Sequence, residues 1–241
     1  MKVGVVGTGY WGTKILSKLI HSQSVIFFSK DPTFYFPLID SADWVFVASP
    51  DPTHYEIVRY CLDAGVNVFC EKPLSRNFEE CLELYEAAQS SQGCLYVDDV
   101  FQYRNQQFAL GDSNRVIWKK ASHQEFRSRE DFLYRLAFHD FYLLWPFLVD
   151  QQIERVESLP TSGALDFSIK YQSGWKVNFS YDVNSTVVQH TINGCDLNAA
   201  SANDYLQIML DQVLAGNADF AKNHAGTLFA SKTIKEILSG W

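Results

Sequence analysis

The first dozen residues constrain this chain most. They form an apolar run, Val3-Gly4-Val5-Val6, that ends in Gly7-Thr8-Gly9-Tyr10-Trp11-Gly12. A short apolar run without a polar break reads as a buried parallel strand. Thr13 to Ile20 then continue at helical spacing. Strand, glycine turn and helix in direct succession form the arrangement in which backbone N–H groups and a helix N-terminus face a pyrophosphate. Gly7 allows the tight turn, Gly9 the approach of backbone to phosphate, and Gly12 the packing of helix on strand. Thr8, Tyr10 and Trp11 complete the candidate cofactor turn. The alternative is a glycine-rich turn in some other α/β protein.

Similar units follow. Ser24 to Phe28 is expected as a second strand, and the residue closing it, about 20 positions past the glycines, meets the adenosine ribose in a dinucleotide fold. An acidic residue there would bind the 2′-hydroxyl of NAD. This chain has Ser29-Lys30, which suits a 2′-phosphate, so NADP is expected, with NAD possible if Lys30 is only a solvated loop residue. Residues 31–41 are rich in proline and aromatics, and a loop with one helical turn is expected there. Its Phe/Tyr cluster would cover the core or contact another subunit. Trp44 to Ala48 is a third strand running into Ser49-Pro50-Asp51-Pro52-Thr53-His54, and a helix reaches about Ala64, stopped by Gly65. Val66 to Cys70 is a fourth strand leading into Glu71-Lys72-Pro73-Leu74. Asn77 caps the next helix with Glu80 at its third position, and Phe78, Cys81, Leu82 and Tyr85 form its buried face. Cys94 to Val97 is a fifth strand. Residues 1–98 therefore predict a doubly wound parallel sheet of Rossmann type.

After Asp98-Asp99, which could orient Lys72 or simply begin a linker, the rhythm changes. A short helix (Gln102 to Leu110), a strand near Arg115 to Ala121 and a longer helix (Phe132 to Val149) are expected. Alternating segments over residues 153–192, namely 155–159, 165–169, 175–179 and 186–188, then predict a mostly antiparallel open sheet. Helices from Asp204 to Leu214 and Ala225 to Leu238 close an α+β domain over residues 99–241.

The balance of Lys+Arg 20 against Asp+Glu 28 gives −8, with no basic run to relieve it, which argues against nucleic acid or an anionic membrane surface as a partner. No apolar stretch approaches the roughly 20 residues of a membrane helix. Met1-Lys2 leads straight into the first strand, leaving no room for a signal peptide. The five cysteines are odd in number and lack C-x-x-C spacing. They read as reduced thiols of a cytoplasmic protein, neither disulfides nor metal ligands.

Lys72 is expected at the C-terminal end of a parallel strand, where open α/β sheets bind ligands. A lysine beside a cofactor can move protons or hold an alkoxide. Three features occur in order: Gly7-x-Gly9-x-x-Gly12, Glu71-Lys72-Pro73 after the fourth strand, and Phe138-His139-Asp140 in the second domain. Together they resemble the Gfo/Idh/MocA family of nicotinamide-dependent oxidoreductases. Ser49-Pro50-Asp51-Pro52-Thr53-His54 is similar to the family's loop after the third strand, and Ser29-Lys30-Asp31-Pro32 overlies its usual D-x-D-P. The resemblance covers residues 1–98 well and 99–150 moderately.

The resemblance implies that Lys72 lies by the nicotinamide and the substrate hydroxyl, with a cis peptide before Pro73, and that His139 works with it as acid/base. Hydride then passes between a substrate carbon and the nicotinamide. It also implies that the open sheet forms dimers, and the alternation of Trp175 and Phe179 on one strand fits such a covered face. The expected cofactor contacts are Gly7, Thr8, Gly9, Tyr10, Trp11, Gly12, Ser29, Lys30, Ser49, Pro50, His54, Glu71 and Lys72. By itself, a histidine in the apolar stretch Leu136 to Leu144 also fits a satisfied core position. The family pattern D-x-G-x-H-D-x-D is broken by Arg135, Ala137 and Tyr142. Arg127, Arg129 and Arg135 would pair with a carboxylate or phosphate on the substrate, or with Glu125, Glu130 and Asp131 in a solvated stretch. Tyr103, Arg104, Arg135 and Tyr142 are the candidate substrate residues, with Asn105 beside them. The expected protein is an NAD(P)-dependent oxidoreductase acting on a small polar, sugar-like or acid-bearing compound, and a homo-oligomer through its open sheet. The alternatives are a family member that binds the nucleotide as a sensor without turnover, and an unrelated Rossmann-type binding module.

Overall fold

The apolar runs of the N-terminal part become parallel strands: β1 (Lys2–Val6), β2 (Ser24–Ser29), β3 (Trp44–Val47), β4 (Asn67–Cys70) and β5 (Leu95–Val97). They form one sheet in the order β2-β1-β3-β4-β5. Val3, Val5, Val45, Phe46, Val68 and Phe69 are fully buried, as strands covered on both faces require. The crossovers carry α1 (Tyr10–Leu19), α2 (Pro32–Ile39), α3 (His54–Asp63) and α4 (Phe78–Ser90). The chain runs outward from β1 to β2 and then crosses to β3 on the far side of β1. The strand order therefore reverses beside β1, the point where open sheets bind ligands at their C-terminal edge. The computed structural model describes residues 1–104, 107–120, 126, 128–161, 164–198 and 203–240.

Local chemistry decides where the helices depart from expectation. The segment after β2 is an eight-residue helix, not a loop with one turn. Asp31 caps it by accepting from Thr33 N at 2.9 Å, and Pro32 sits in the first turn, where a missing N–H costs nothing. Tyr35 of the aromatic cluster is buried and stacks on Phe27, while Phe34 stays exposed. On α4 the buried face is Cys81, Leu84 and Tyr85; Leu82 is exposed and Phe78 half-buried. Asn77 caps this helix through Glu79 N at 2.9 Å, but Glu80 takes the Ser75 hydroxyl and leaves the capping box open.

The C-terminal part holds β6 (Ser113–Lys119), β7 (Ile153–Thr161), β8 (Ala164–Tyr171), β9 (Lys176–Asp182), β10 (Gln189–Ile192) and β11 (Cys195–Asp196), ordered β11-β10-β6-β9-β8-β7. All pairs are antiparallel except β6 with β9. The strand expected at 186–188 lies a few residues later as β10, and Val187 and Val188 are exposed ahead of it. The expected helix from Gln102 to Leu110 is a 3-10 turn, Val100–Tyr103, followed by non-helical residues 107–110. The long helix is α5 (Arg129–Phe132), a π-helical turn over Leu133–Ala137, and α6 (Phe138–Leu148). Phe141 on α6 packs 5.3 Å from Phe179, which stacks on Phe167 at 4.5 Å. Phe179 is thus covered by the helix of its own unit, which corrects its assignment to a partner-covered face; Trp175 precedes β9. Half-buried Lys176, Asn178 and Ser180 alternate with it on the other side of β9.

Helices α7 (Tyr205–Leu214) and α8 (Phe220–Ser239) end the chain. Two compact units result, Met1–Val100 with Asp204–Ser231, and Phe101–Asn203 with Lys232–Trp241. Residues 204–231, which linear reading assigns to the second domain, thus belong with the sheet of the first. Buried Asn223 shows why: its side chain accepts from Val97 N at 2.9 Å and donates to Val97 O at 2.7 Å, satisfying the edge strand β5. The cysteines are free, and burial pushes the Cys61 and Cys81 thiols up to about 12 and about 11.

Candidate active site

The glycine turn has the shape an anion needs. Gly7 has φ +104, its N–H donates to Ser29 O at 2.8 Å, and a Cβ there would lie 2.3 Å from Ala48 O. A Cβ on Gly12 would lie 1.8 Å from Gly7 O, so only glycine lets α1 start this close to the turn. Gly9, the residue before α1, has no atom within 4 Å of where its Cβ would stand. That open cradle lies at a helix N-terminus with no acidic residue in its first turn. Beside it, Lys14 Nζ stands 4.6 Å and 5.0 Å from the rings of Tyr10 and Trp11, which are 69% and 40% exposed; Thr8 is also exposed. Donor N–H groups, a helix dipole and open space fit the pyrophosphate of a dinucleotide.

At the end of β2, the Ser29 hydroxyl accepts from Asp31 N at 3.0 Å, and Lys30 is exposed. The Asp31 carboxylate is bound into the cap of α2, accepting from Thr33 N and Oγ1 at 2.9 Å and 2.7 Å. After β3, Ser49 and Pro50 lead into a 3-10 turn, Asp51–Thr53. The Thr53 hydroxyl donates within 2.7 Å of Ser49 Oγ and 2.8 Å of Pro50 O. His54 is 1% exposed, and its ring nitrogens lie 2.8 Å from Ser49 O and 2.8 Å from Pro73 O.

After β4 come Glu71 and half-buried Lys72, with a cis peptide before Pro73. Glu71 and Asp98, 5% and 3% exposed, are hydrogen-bonded to each other. Burial, then the charge of Asp98, holds the Glu71 carboxyl well above the usual range. Burial also raises Asp98, partly offset by the bond from Val100 N at 2.9 Å and by Glu71. Two enclosed carboxyls share one proton, so Glu71 donates and Asp98 accepts, and the nearby Lys72 ammonium favours the remaining charge. Glu71 Oε1 has no hydrogen-bond partner. Asp99 accepts from Tyr96 OH at 2.7 Å. Neither Asp98 nor Asp99 is a solvated linker residue, and the available signal was an acidic pair at the carboxyl end of a strand.

In the second unit, half-buried His139 stands 4.8 Å from the Phe101 ring and 5.9 Å from Trp118. Trp118 stacks on His190 at 3.9 Å, and His190 Nε2 lies 2.7 Å from Asp140 Oδ1. Tyr181 OH donates to Asp140 Oδ2 at 2.8 Å, and burial followed by the Asp140 charge holds this phenol well above its ordinary value. Asp140, His190 and Tyr181 are fully buried. Trp118, Tyr181 and His190 carry no signal of their own in the sequence, where they are merely members of strands. Among the substrate candidates, Tyr103 is half-buried and Tyr142 buried. Arg104 lies over Phe101 at 4.1 Å and donates to Leu197 O at 2.6 Å. Arg135 is 3.8 Å from Asp131 and 5.3 Å from the Phe126 ring. Asn105, Glu125 and Arg127 lie outside the described residues. Among the described residues no cluster of side chains suits a metal ion, and no helix is long and apolar enough to cross a membrane.

Residues 35–99 match a family profile described as "Oxidoreductase family, NAD-binding Rossmann fold". An uncharacterized oxidoreductase of Streptococcus pneumoniae is 27% identical over 123 residues, covering 44% of this chain and 34% of that protein. Inositol 2-dehydrogenase 2 of Saccharopolyspora erythraea is 52% identical over 54 residues, 22% of this chain and 16% of its own. These matches therefore span about a third or less of each curated relative. UDP-N-acetylglucosamine 3-dehydrogenase from Acidithiobacillus ferrooxidans aligns in structure with a TM-score of 0.80 at 14% identity, covering 100% of this chain and 97% of that one. A dehydrogenase from Clostridium difficile aligns with a TM-score of 0.80 at 17% identity, covering 100% and 99%. At those identities the structural likeness establishes the fold.

Proposed function

We propose that this chain is a member of the Gfo/Idh/MocA oxidoreductases, a reading supported by the profile matched over residues 35–99, and that the protein is an NAD(P)-dependent oxidoreductase acting on a CH–OH or C=O group of a small, polar, sugar-like or acid-bearing compound. The observation that carries this reading is the carboxyl edge of the first sheet. An anion-ready turn follows β1 there, and Lys72 beside a proton-sharing carboxyl pair follows β4. When bound, the nicotinamide gives or takes the hydride. The turn from Gly7 to Gly12, with Thr8, Tyr10 and Trp11, holds the pyrophosphate, and Ser49, Pro50 and Glu71 belong to the loops that enclose the dinucleotide. Lys72 gives or receives the proton of the substrate oxygen. The Glu71–Asp98 pair keeps one negative charge near its ammonium.

His139 is the second acid/base, a role supported by the family resemblance and by its setting against Phe101 and Trp118. Tyr103, Arg104, Arg135 and Tyr142 are assigned to the substrate. NADP is the preferred cofactor because Lys30 is exposed and the Asp31 carboxylate is bound into a helix cap instead of offered to a ribose hydroxyl. A homo-oligomer through the outward face of the second sheet belongs to this reading, and light scattering tests it. The sensor without turnover is favoured by one observation: Arg135 stands where the family has an acid and is already paired with Asp131.

The deciding experiment compares the wild type with Lys72→Ala on a panel of cyclic polyols and sugar derivatives, following nicotinamide absorbance. The expected result is turnover in the wild type and a loss of at least about a hundredfold in the variant, the scale of general acid–base catalysis, with cofactor binding kept. Undiminished turnover in Lys72→Ala refutes the assignment, and binding without turnover in the wild type supports the sensor.

A further inference from the structure

Two loops that carry cofactor-site residues, one after β3 with Ser49 and one after β4 with Lys72, are joined through the first residue of α3. The ring of His54 spans them, with Nε2 2.8 Å from Ser49 O and Nδ1 2.8 Å from Pro73 O. Both partners are carbonyl oxygens, which only accept. A neutral imidazole has one N–H, so one tautomer can serve one carbonyl and leaves a lone pair against the other. Only the imidazolium donates to both. The ring is 1% exposed, which leaves no room for water to take the second place.

The charge acting on this ring is Asp51, on the 3-10 turn beneath α3. Asp51 itself accepts from Arg76 Nε at 2.6 Å, a second tie between the same two loops. Arg76, with burial opposing, holds Asp51 below the usual carboxylate range, so its charge persists across the histidine's titration. Burial is the largest influence on His54 and keeps its pKa below the ordinary value, against the pull of the two carbonyls and Asp51. The ring is therefore mostly neutral near neutral pH, and its second donor is gained on acidification.

We propose that His54 is a positioning residue for the dinucleotide site: it ties the Ser49 loop to the Lys72 loop, and the tie becomes two-ended on protonation, so the site tightens as pH falls. Its buried ring acts behind the site, holding the backbone that meets the cofactor. The proposal rests on the reading that these loops hold a dinucleotide.

The test titrates NADP+ into the wild type and into His54→Gln by tryptophan quenching, from about pH 4.5 to about pH 8, a window that extends well below the ordinary histidine pKa because burial lowers that of His54. The ligand's own phosphate titrates in both proteins, so the quantity read is the ratio of the two Kd values. The variant should bind about three- to tenfold more weakly in the acidic half, one hydrogen bond's worth, with the ratio shrinking as pH rises. A ratio constant with pH, or equal to one, overturns the proposal, because a merely structural histidine shifts affinity equally at every pH. Should His54→Gln not fold, long-range 1H–15N spectra of the wild-type ring decide. Two protonated nitrogens at the acid end support the tie, and a ring still neutral there refutes it. Failure of the wild type to bind NADP+ or NAD+ at any pH sinks the dinucleotide reading instead, and the ring spectra then decide the tie alone.

Discussion

Gly9→Ala separates the folding role of the glycine turn from its binding role. The backbone at Gly9 has φ −79 and ψ −166, which alanine adopts without strain, and no atom lies within 4 Å of the new Cβ. Losing glycine before a helix costs roughly 0.5–1 kcal/mol, and a less flexible unfolded chain returns about 0.4–1 kcal/mol. Stability should therefore stay within about 1 kcal/mol of the wild type. The space that the methyl group fills is the space a pyrophosphate oxygen needs to reach the N–H groups at the start of α1. Losing one hydrogen bond to a charged group is worth about 2 kcal/mol, or about thirtyfold in Kd. Trp11, in the same turn, reports binding by quenching and by energy transfer to reduced nicotinamide, and thermal unfolding reports stability. Gly12→Ala is the contrast. Its Cβ would lie 1.8 Å from Gly7 O, so the backbone must move and roughly 1–3 kcal/mol of stability should go with it. A Gly9→Ala protein that binds as the wild type does, or that loses as much stability as Gly12→Ala, refutes the reasoning.

Two further predictions concern buried carboxyls. Glu71 has a folded pKa raised above its unfolded value of about 4.3, so its contribution to stability is complete below that pH and is lost as pH rises toward the folded pKa. Glu71→Gln keeps a donor for Asp98 and has no proton to lose. It should match the wild type in acid and become the more stable protein as pH rises through neutrality, as denaturant unfolding at several pH values would show; a gap that does not grow with pH contradicts the shared proton. Asp140→Ala leaves buried His190 and Tyr181 without their acceptor and should cost about 3 kcal/mol or more in unfolding free energy. A loss under about 1 kcal/mol would mean that the cluster adds little to the second unit.

The first sheet was legible because its inner strands are apolar runs buried on both faces, with β2 at the edge only half-buried, and because glycines punctuate the crossovers. What escaped was set by partners distant in sequence. Asn223 belongs to the first unit through two hydrogen bonds to Val97, which no local pattern announces. Phe179 alternates as a strand residue should, but alternation does not say whether its own helix or a second chain covers that face; Phe141 answers it. The π-helical turn over Leu133–Ala137 has ordinary helical composition, so the sequence does not set it apart from one long helix. The candidate site was legible at Gly7–Gly12 and Glu71–Pro73, where spacing and chemistry coincide. Asp98 and His54 show their part only when the loops are seen together, one beside Glu71 and the other between two carbonyls.

In the proposed function the carboxyl edge of the first sheet binds a nicotinamide dinucleotide and favours the one with a 2′-phosphate. The most direct measurement is a paired titration with NADPH and NADH on the wild type and on Lys30→Asp. Tighter binding of NADPH by the wild type is expected, with a loss of that preference in the variant, because an anion then stands where the 2′-phosphate would. Tighter binding of NADH by the wild type would contradict the assignment of Ser29 and Lys30, and binding of neither would contradict the claim itself.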